Sequence, residues 1–454
     1  MDIYDLVIKN GALVDTENNK VYTGNICING SKIVKLSEDS LEGQLTIDAV
    51  GLVVCPGFID IHAHLDGNID FGRLAALQGI TTSIGGNCGA GPSEIGIFLE
   101  KQSEIGFPIN QGQLIGHSFT LRNKAGIESP YLPATKDQIA IMLGLAEKAF
   151  KEGALGLSFG LEYSPGASHE EVVELCKFAA SYDKLVPIHT YVNNPENLDS
   201  LTYVIELSRL TGAHILVSHF VYQYGYGVMT KALKLVDEAR SQGLKISVDS
   251  GMYTAFCTGM GTTIYDEEYM NKFGWKYSDL LVASGKHKGK RLNEELYHEM
   301  RKHCPRECVI CYQGVEEEIY EALEKEYVVL STDTGPGPSG DVTEGHPQNT
   351  GNFPRFFRKL VRELNRLTLL EAVKKCTIMP AEILKLKDKG RLSEGKDADI
   401  VIFDLETISD TSDFPGQGSP DSKPTGIKYV IVNGKILVED GNIKDILPGS
   451  IIKA

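Results

Sequence analysis

No stretch of this sequence approaches the roughly 20 consecutive apolar residues of a membrane-spanning helix. Positive charge is also in short supply. Lys and Arg number 45 against 61 Asp and Glu, a formal charge of −16 that argues against nucleic acid or an anionic membrane as the main partner. The opening residues Met1-Asp2-Ile3-Tyr4-Asp5 carry no basic region ahead of an apolar run, so no signal peptide is read there. Nine cysteines are dispersed over 454 residues, and without a secretory signal they read as reduced thiols of a cytoplasmic protein. Internal repeats and low-complexity tracts are missing as well. What remains is ordinary: 42% apolar and 23% charged residues, with length for one large α/β barrel and a smaller domain. No oligomeric state can be read from it.

Asn-Gly between apolar alternations is a strong hairpin signal, because both residues tolerate positive φ. It occurs at Asn10-Gly11, Asn29-Gly30 and Asn433-Gly434, all near the chain ends. Leu6 to Val14, Ile26 to Leu36, Ala398 to Phe403 and Tyr429 to Val438 read as strands around them. A small β-sandwich domain built from residues 1–55 and 385–454 is therefore expected.

The middle, residues 56–384, alternates short apolar strands with amphipathic helices. Strands are read at Phe58 to Ile61, Thr81 to Ile84, Gln113 to Gly116, Ala154 to Ser158, Leu185 to His189, His214 to Ser218, Leu244 to Val248 and Val328 to Thr332. Thr135-x-x-Gln138, Ser168-x-x-Glu171 and Thr368-x-x-Glu371 fit capping boxes that open helices, and Gly153 closes the first. Eight strands alternating with helices predict a (β/α)8 TIM barrel, with an insertion at about 251–305 over its mouth.

Such barrels place chemistry where the strands end. His62 and His64 follow the first strand two residues apart, so both imidazoles share a face, as two ligands of one metal ion require. Cys88 lies in the glycine-rich turn after the second strand. His189 ends the fifth, His219 follows the sixth and Asp333 follows the eighth. Six metal-competent groups at strand ends point to a metal centre. Cys304-x-x-x-Cys308-x-x-Cys311 has the spacing of a radical S-adenosylmethionine signature, but Cys308 to Tyr312 reads as a buried strand in which cysteine acts as a small apolar residue.

With Gly86-Asn87-Cys88-Gly89, Gly116-His117-Ser118, Gly156-Leu157-Ser158, Gly160-Leu161-Glu162-Tyr163 and Gly395-Lys396-Asp397-Ala398-Asp399, the chain resembles the amidohydrolase superfamily. Within it, the N-acyl-D-amino-acid deacylase (D-aminoacylase) family is the nearest likeness. Many superfamily members bridge two metals with a fourth-strand lysine; none lies between Gly153 and Glu162, and the resemblance gives that role to Cys88. It implies a tight zinc ion on Cys88, His189 and His219, and a second, weaker or empty site on His62, His64 and Asp333. Asp333 would also be the catalytic base, with His117 and Tyr163 holding the substrate's carbonyl or acyl group. The implied activity is hydrolysis of a C–N amide bond in a small molecule by metal-activated water.

The likeness breaks where such enzymes hold the substrate's carboxylate. Val221 stands in place of a lysine, and His346-Pro347-Gln348 in place of His-Pro-Arg, so Gln348 would face the substrate without a charge. Arg122, or a cation from the 251–305 insertion, could replace the lost charge. The alternatives are a cyclic-amide hydrolase of hydantoinase or dihydropyrimidinase type, and a non-catalytic relative that keeps the scaffold for binding.

Overall fold

The computed structural model describes residues 3–39, 41–191 and 198–453. Strands from both chain ends join in one nine-stranded sheet, in which Val53–Pro56 pairs with Ile400–Phe403 on one side and with Tyr4–Asp15 on the other. The expected sandwich is thus one continuous sheet, whose inner face buries Leu6, Ile8, Leu13, Ile26, Ile28 and Ile400. Asn10-Gly11 is not a hairpin turn. It is a bulge inside Tyr4–Asp15, with Asn10 at φ 60°, and the extra residue changes the phase of the strand. Leu6 and Ile8 before it and Leu13 after it consequently face the same core. Position 11 needs glycine, because a Cβ there would lie 2.4 Å from Val54 Cγ2. Asn433-Gly434 does form the tight turn between Ile427–Val432 and Lys435–Glu439.

In the middle of the chain two parallel sheets carry the strands. Phe58–Asp60, Ile80–Gly85 and Asn110–Gln113 form one; Ile115–Gly116, Leu157–Gly160, Val186–His189, Ile215–Val217, Ile246–Ser250 and Val328–Leu330 form the other. The chain passes from one to the other at Leu114, whose N–H donates to Gly85 O while that of Ile115 donates to Gly156 O, both at 3.0 Å. Just past the remaining two edges, Asp333 N–H donates to His62 O at 2.8 Å and His64 N–H to Thr334 O at 2.7 Å. Ile59, Ile84, Leu114, Leu155, Leu185, Leu216 and Val329 meet in a single buried cluster between the strands. All three capping boxes form, at Thr135, Ser168 and Thr368, and Gly153 closes its helix at φ 116°.

Phe58 fastens the first strand to the C-terminal helices by stacking on Phe353 at 5.3 Å and Phe357 at 5.4 Å. The preceding Gly57 allows the close approach of Thr81, whose Oγ1 would lie 2.1 Å from a Cβ. The insertion runs further than 305. It is a three-stranded antiparallel sheet with Cys308–Tyr312 between Ala255–Gly259 and Leu280–Val282, and it buries its own core of Met260, Tyr265, Leu280, Met300 and Val309. Pairing across some fifty residues brings Cys308–Tyr312 into the insertion, which local sequence could not indicate.

Candidate active site

The strand Phe58–Asp60 ends in a turn that aims His62 and His64 at one point. His62 is fully buried; its Nε2 lies 3.3 Å from Cys88 Sγ and 3.3 Å from Asp333 Oδ1. His64 Nε2 reaches the same Asp333 oxygen at 3.2 Å. Cys88 Sγ lies 3.5 Å from His219 Nε2, and that nitrogen is 2.8 Å from His189 Nδ1. Cys88, His219 and Asp333 have φ of 52°, 33° and 57°, a region that side chains other than glycine rarely occupy and that clusters at functional sites. Neighbours hold these turns. The Asn87 amide donates to Ile84 O at 2.9 Å, and Asp66 accepts from the Gly86 N–H at 2.9 Å.

Among these donors, the ligand atoms of His62, Cys88, His219 and Asp333 all lie within 4.8 Å of each other. Donors on a tetrahedral zinc, bound at about 2.0–2.3 Å, are separated by roughly 3.3–3.8 Å. Among these four, the contacts of Cys88 with His62 and His219 and of His62 with Asp333, at 3.3, 3.5 and 3.3 Å, fall in that range. They form the only group of three or more metal-competent side chains among the described residues. The sequence places Cys88, His189 and His219 on one ion and His62, His64 and Asp333 on another. Here His189 meets both His219, at 2.8 Å, and Cys88, while His62 meets both Cys88 and Asp333, so the two groups adjoin.

Charge favours a cation here. Burial opposes ionisation of Cys88, yet the imidazoles of His62, His189 and His219 outweigh it and hold the thiol well below its ordinary range. Burial likewise opposes the Asp333 carboxylate, but His219, His62 and His64 keep it far below the usual carboxylate range. Burial should lower the histidines, but Asp249 and Cys88 raise His62 well above its ordinary value, and Asp333 and Cys88 lift His64 to about 10. Burial and then His219 lower His189, but a thiolate and a carboxylate that raise His62, His64 and His219 against burial are a donor set short of positive charge, which a divalent ion supplies. His219 Nδ1, buried and with no partner among the described residues, adds an unsatisfied polar atom to the same cluster.

Asp249 is the residue the sequence reading missed. One of its oxygens lies 3.3 Å from His62 Nδ1; the other accepts from His219 N–H at 2.8 Å and from Ser331 Oγ at 2.7 Å. The seventh strand runs through Ser250 rather than stopping at Val248, so the rule of strand-end chemistry would have found it one residue further on. Gln223 was also missed; its Nε2 faces His189 Nε2 at 3.2 Å.

A cavity of about 340 Å³ opens above the cluster, reaching His64, Cys88, His189, His219 and Asp333. Tyr163 lines it, with its ring 4.7 Å from that of His189 and 5.2 Å from that of Phe119. Gln348 lines it too, with both ends of its amide engaged: Tyr222 OH donates to Oε1 at 2.8 Å, and Nε2 donates to Asp333 O at 2.7 Å. The insertion adds Phe256, Thr258, Ile264 and Trp275 to the wall. No lysine or arginine is among the described residues that line it.

His117 is a correction. It is fully buried away from this cavity, with Nε2 2.8 Å from Glu171 Oε1 and Nδ1 3.2 Å from Ser118 Oγ, so neither nitrogen is turned to a substrate. Arg122 is committed to the same glutamate, 2.5 Å from its Oε1, and also donates to Leu132 O. Val221 is buried and is not among the described residues lining the cavity. Of the cysteine motif, Cys308 faces the cavity while Cys311 packs into the insertion's core on the opposite face.

Residues 53–437 match the amidohydrolase family. The N-acyl-D-glutamate deacylase of Alcaligenes xylosoxydans xylosoxydans is 28% identical over 464 residues, covering 95% of this chain and 93% of that one. The D-aminoacylase of the same organism is 26% identical over 472 residues, covering 95% and 94%. Among solved structures, the N-acyl-D-glutamate deacylase of Bordetella bronchiseptica, complexed with zinc and a phosphonate inhibitor, superposes with a TM-score of 0.87 at 24% identity over 100% of both chains. L-hydantoinase from Arthrobacter aurescens superposes less closely, with a TM-score of 0.66 at 17% identity over 100% of both chains.

Proposed function

The chain belongs to the amidohydrolase family, as a metal-dependent hydrolase of C–N bonds other than peptide bonds; from that premise we propose a zinc enzyme of D-aminoacylase type whose substrate lacks a free carboxylate next to the scissile amide. The single observation that carries the reading is the absence of lysine and arginine among the described residues lining the cavity. A carboxylate desolvated there would meet a neutral Gln348 amide and aromatic rings, and an unpaired buried charge is strongly disfavoured. Arg122, one candidate replacement, is paired with Glu171, and the insertion's residues among the described lining include no lysine or arginine.

His62, Cys88, His219 and Asp333 would hold the ion, with His64 and His189 as donors for a second, weaker one. When bound, such an ion polarises a carbonyl and lowers the pKa of a water to about 7. An Asp333 carboxylate oxygen takes the proton of the attacking water and delivers it to the leaving nitrogen. His62 and His64 orient that carboxylate through their Nε2 atoms. Tyr163 OH, 3.3 Å from Thr258 Oγ1, turns towards the acyl group. The surrounding framework is read as a closed (β/α)8 barrel over about residues 56–384, beside a β domain of both chain ends; the hydrogen bonds at Leu114 and between Asp333 and His62 support closure.

A hydantoinase-like or dihydropyrimidinase-like activity on a cyclic amide is the second reading, favoured by the same lack of lysine and arginine in the described cavity lining. The test is kcat/KM of the zinc-loaded enzyme on matched N-acyl amino acids, their carboxamides and cyclic amides. The carboxamides should be cleaved faster than the acids, and preference for a ring would select the second reading. A strong preference for the free acid would overturn both.

A further inference from the structure

The wall that the insertion adds to the cavity contains chemistry that amide hydrolysis leaves unused. Cys257 and Cys308 both line it and are both partly exposed, whereas Cys27, Cys55, Cys176, Cys311 and Cys376 are buried in cores. In the antiparallel pair Ala255–Gly259 and Cys308–Tyr312, Cys257 stands opposite Ile310 and Cys308 opposite Gly259. Alternation along the strands therefore puts both thiols diagonally on one face, within the patch that also contains Ala255, Ile310 and Phe414. Each thiol is the group that most strongly perturbs the ionisation of the other. The loop after Asp333 passes beside Cys308: a Cβ at Gly337 would lie 3.5 Å from its Sγ.

We propose that Cys257 and Cys308 are a redox-active dithiol in the cavity wall, open to a small peroxide through the substrate's own entrance. The Cys308 thiolate attacks one peroxide oxygen; the O–O bond breaks, hydroxide leaves, and Cys308 becomes a sulfenic acid. Cys257 then gives its proton to hydroxide and attacks the Cys308 sulfur. The S–S bond forms as the S–O bond breaks and the hydroxyl departs as water on protonation. Each disulfide thus consumes one peroxide, two thiol hydrogens leave as water, and a dithiol reductant reverses the change.

The pair's asymmetry supports this direction of attack. Cys257 lowers the Cys308 thiol below its ordinary range despite burial, while Cys308, with burial, raises Cys257 well above it. Thiolate character and access together decide which cysteine a peroxide oxidises first, and a neighbouring thiol resolves the sulfenic acid. Cys304, the third member of the motif, sits at the end of helix Glu294–His303 and is not among the described residues lining the cavity. This thiol chemistry is independent of which amide the enzyme cleaves.

Zinc-loaded full-length protein treated with graded hydrogen peroxide, alkylated, digested and mapped by mass spectrometry tests it. The expected result is a Cys257–Cys308 cross-link lacking two hydrogens, formed at lower peroxide than any oxidation of Cys304 and lost after dithiothreitol. In C257S, Cys308 should instead be trapped by dimedone as its sulfenic acid; in C308S, Cys257 should remain fully alkylatable at the same dose. If both thiols stay alkylatable at doses that oxidise Cys304, or if Cys308 proceeds to sulfonic acid without a cross-link, the dithiol assignment fails.

Discussion

Asp249 and His62 form a carboxylate–imidazole pair at 3.3 Å in which both side chains are fully buried. The same carboxylate holds the backbone N–H of His219, so one side chain fixes two members of the candidate metal cluster from behind. Its position also fixes the imidazole: with Nδ1 turned to Asp249, Nε2 is the atom left to face Cys88 and Asp333.

Replacing Asp249 with Asn should therefore weaken zinc binding by about 10–100-fold, the usual cost of losing a carboxylate behind a ligand histidine. Competition with a chelator reads the affinity directly. At saturating zinc the variant should keep KM near the wild-type value while kcat falls, because the carboxylate touches no substrate. Unchanged zinc affinity would assign Asp249 to folding alone.

Asp333→Asn keeps the size of the side chain and one oxygen ligand, but removes the proton acceptor. Turnover should fall by about 10²–10⁴-fold, the typical contribution of a general base. Zinc content, measured by atomic absorption on the same sample, should be largely retained. Near-normal kcat in the zinc-replete variant would remove Asp333 from the chemistry.

Much of this site was legible because its signals are local. His62 and His64 share a face by the two-residue period of a strand, and Cys88, His189, His219 and Asp333 each stand at or just past the C-terminal end of a short apolar run. What failed was long-range. His117 sits in a suggestive glycine-rich turn, but its partner Glu171 lies on another helix, and only the fold shows that this glutamate takes both His117 and Arg122. Asn10-Gly11 has the composition of a hairpin turn, yet the partner strand continues past it, and the pair becomes a bulge. The insertion was read short because Cys308–Tyr312 pairs with strands far away in sequence.

His214 gives a pH prediction remote from the cluster. Burial, and then the charges of Lys385, Lys245 and Arg240, push its pKa down to about 4, and its Nε2 lies 2.9 Å from Ser247 Oγ. An unfolded chain has histidine near 6.5, so between about pH 6.5 and 4 the unfolded state holds a proton that the folded state does not. Stability is full above about 6.5 and falls as the pH drops through that window, by on the order of 3 kcal/mol for this residue. Urea unfolding at neutral and acid pH should show a smaller acid loss for His214→Gln than for the wild type. Parallel losses would show that His214 does not titrate with folding.

Cobalt substitution with Cys88→Ser as the comparison bears most directly on a metal centre built on a cysteine. A thiolate bound to Co²⁺ gives a near-ultraviolet charge-transfer absorption that nitrogen and oxygen ligands do not. Titrating the metal-free protein with Co²⁺ should raise this band and amide hydrolysis together, saturating at one equivalent, and both should be lost in Cys88→Ser. Hydrolysis that appears without the thiolate band, or that survives undiminished in Cys88→Ser, would contradict the account.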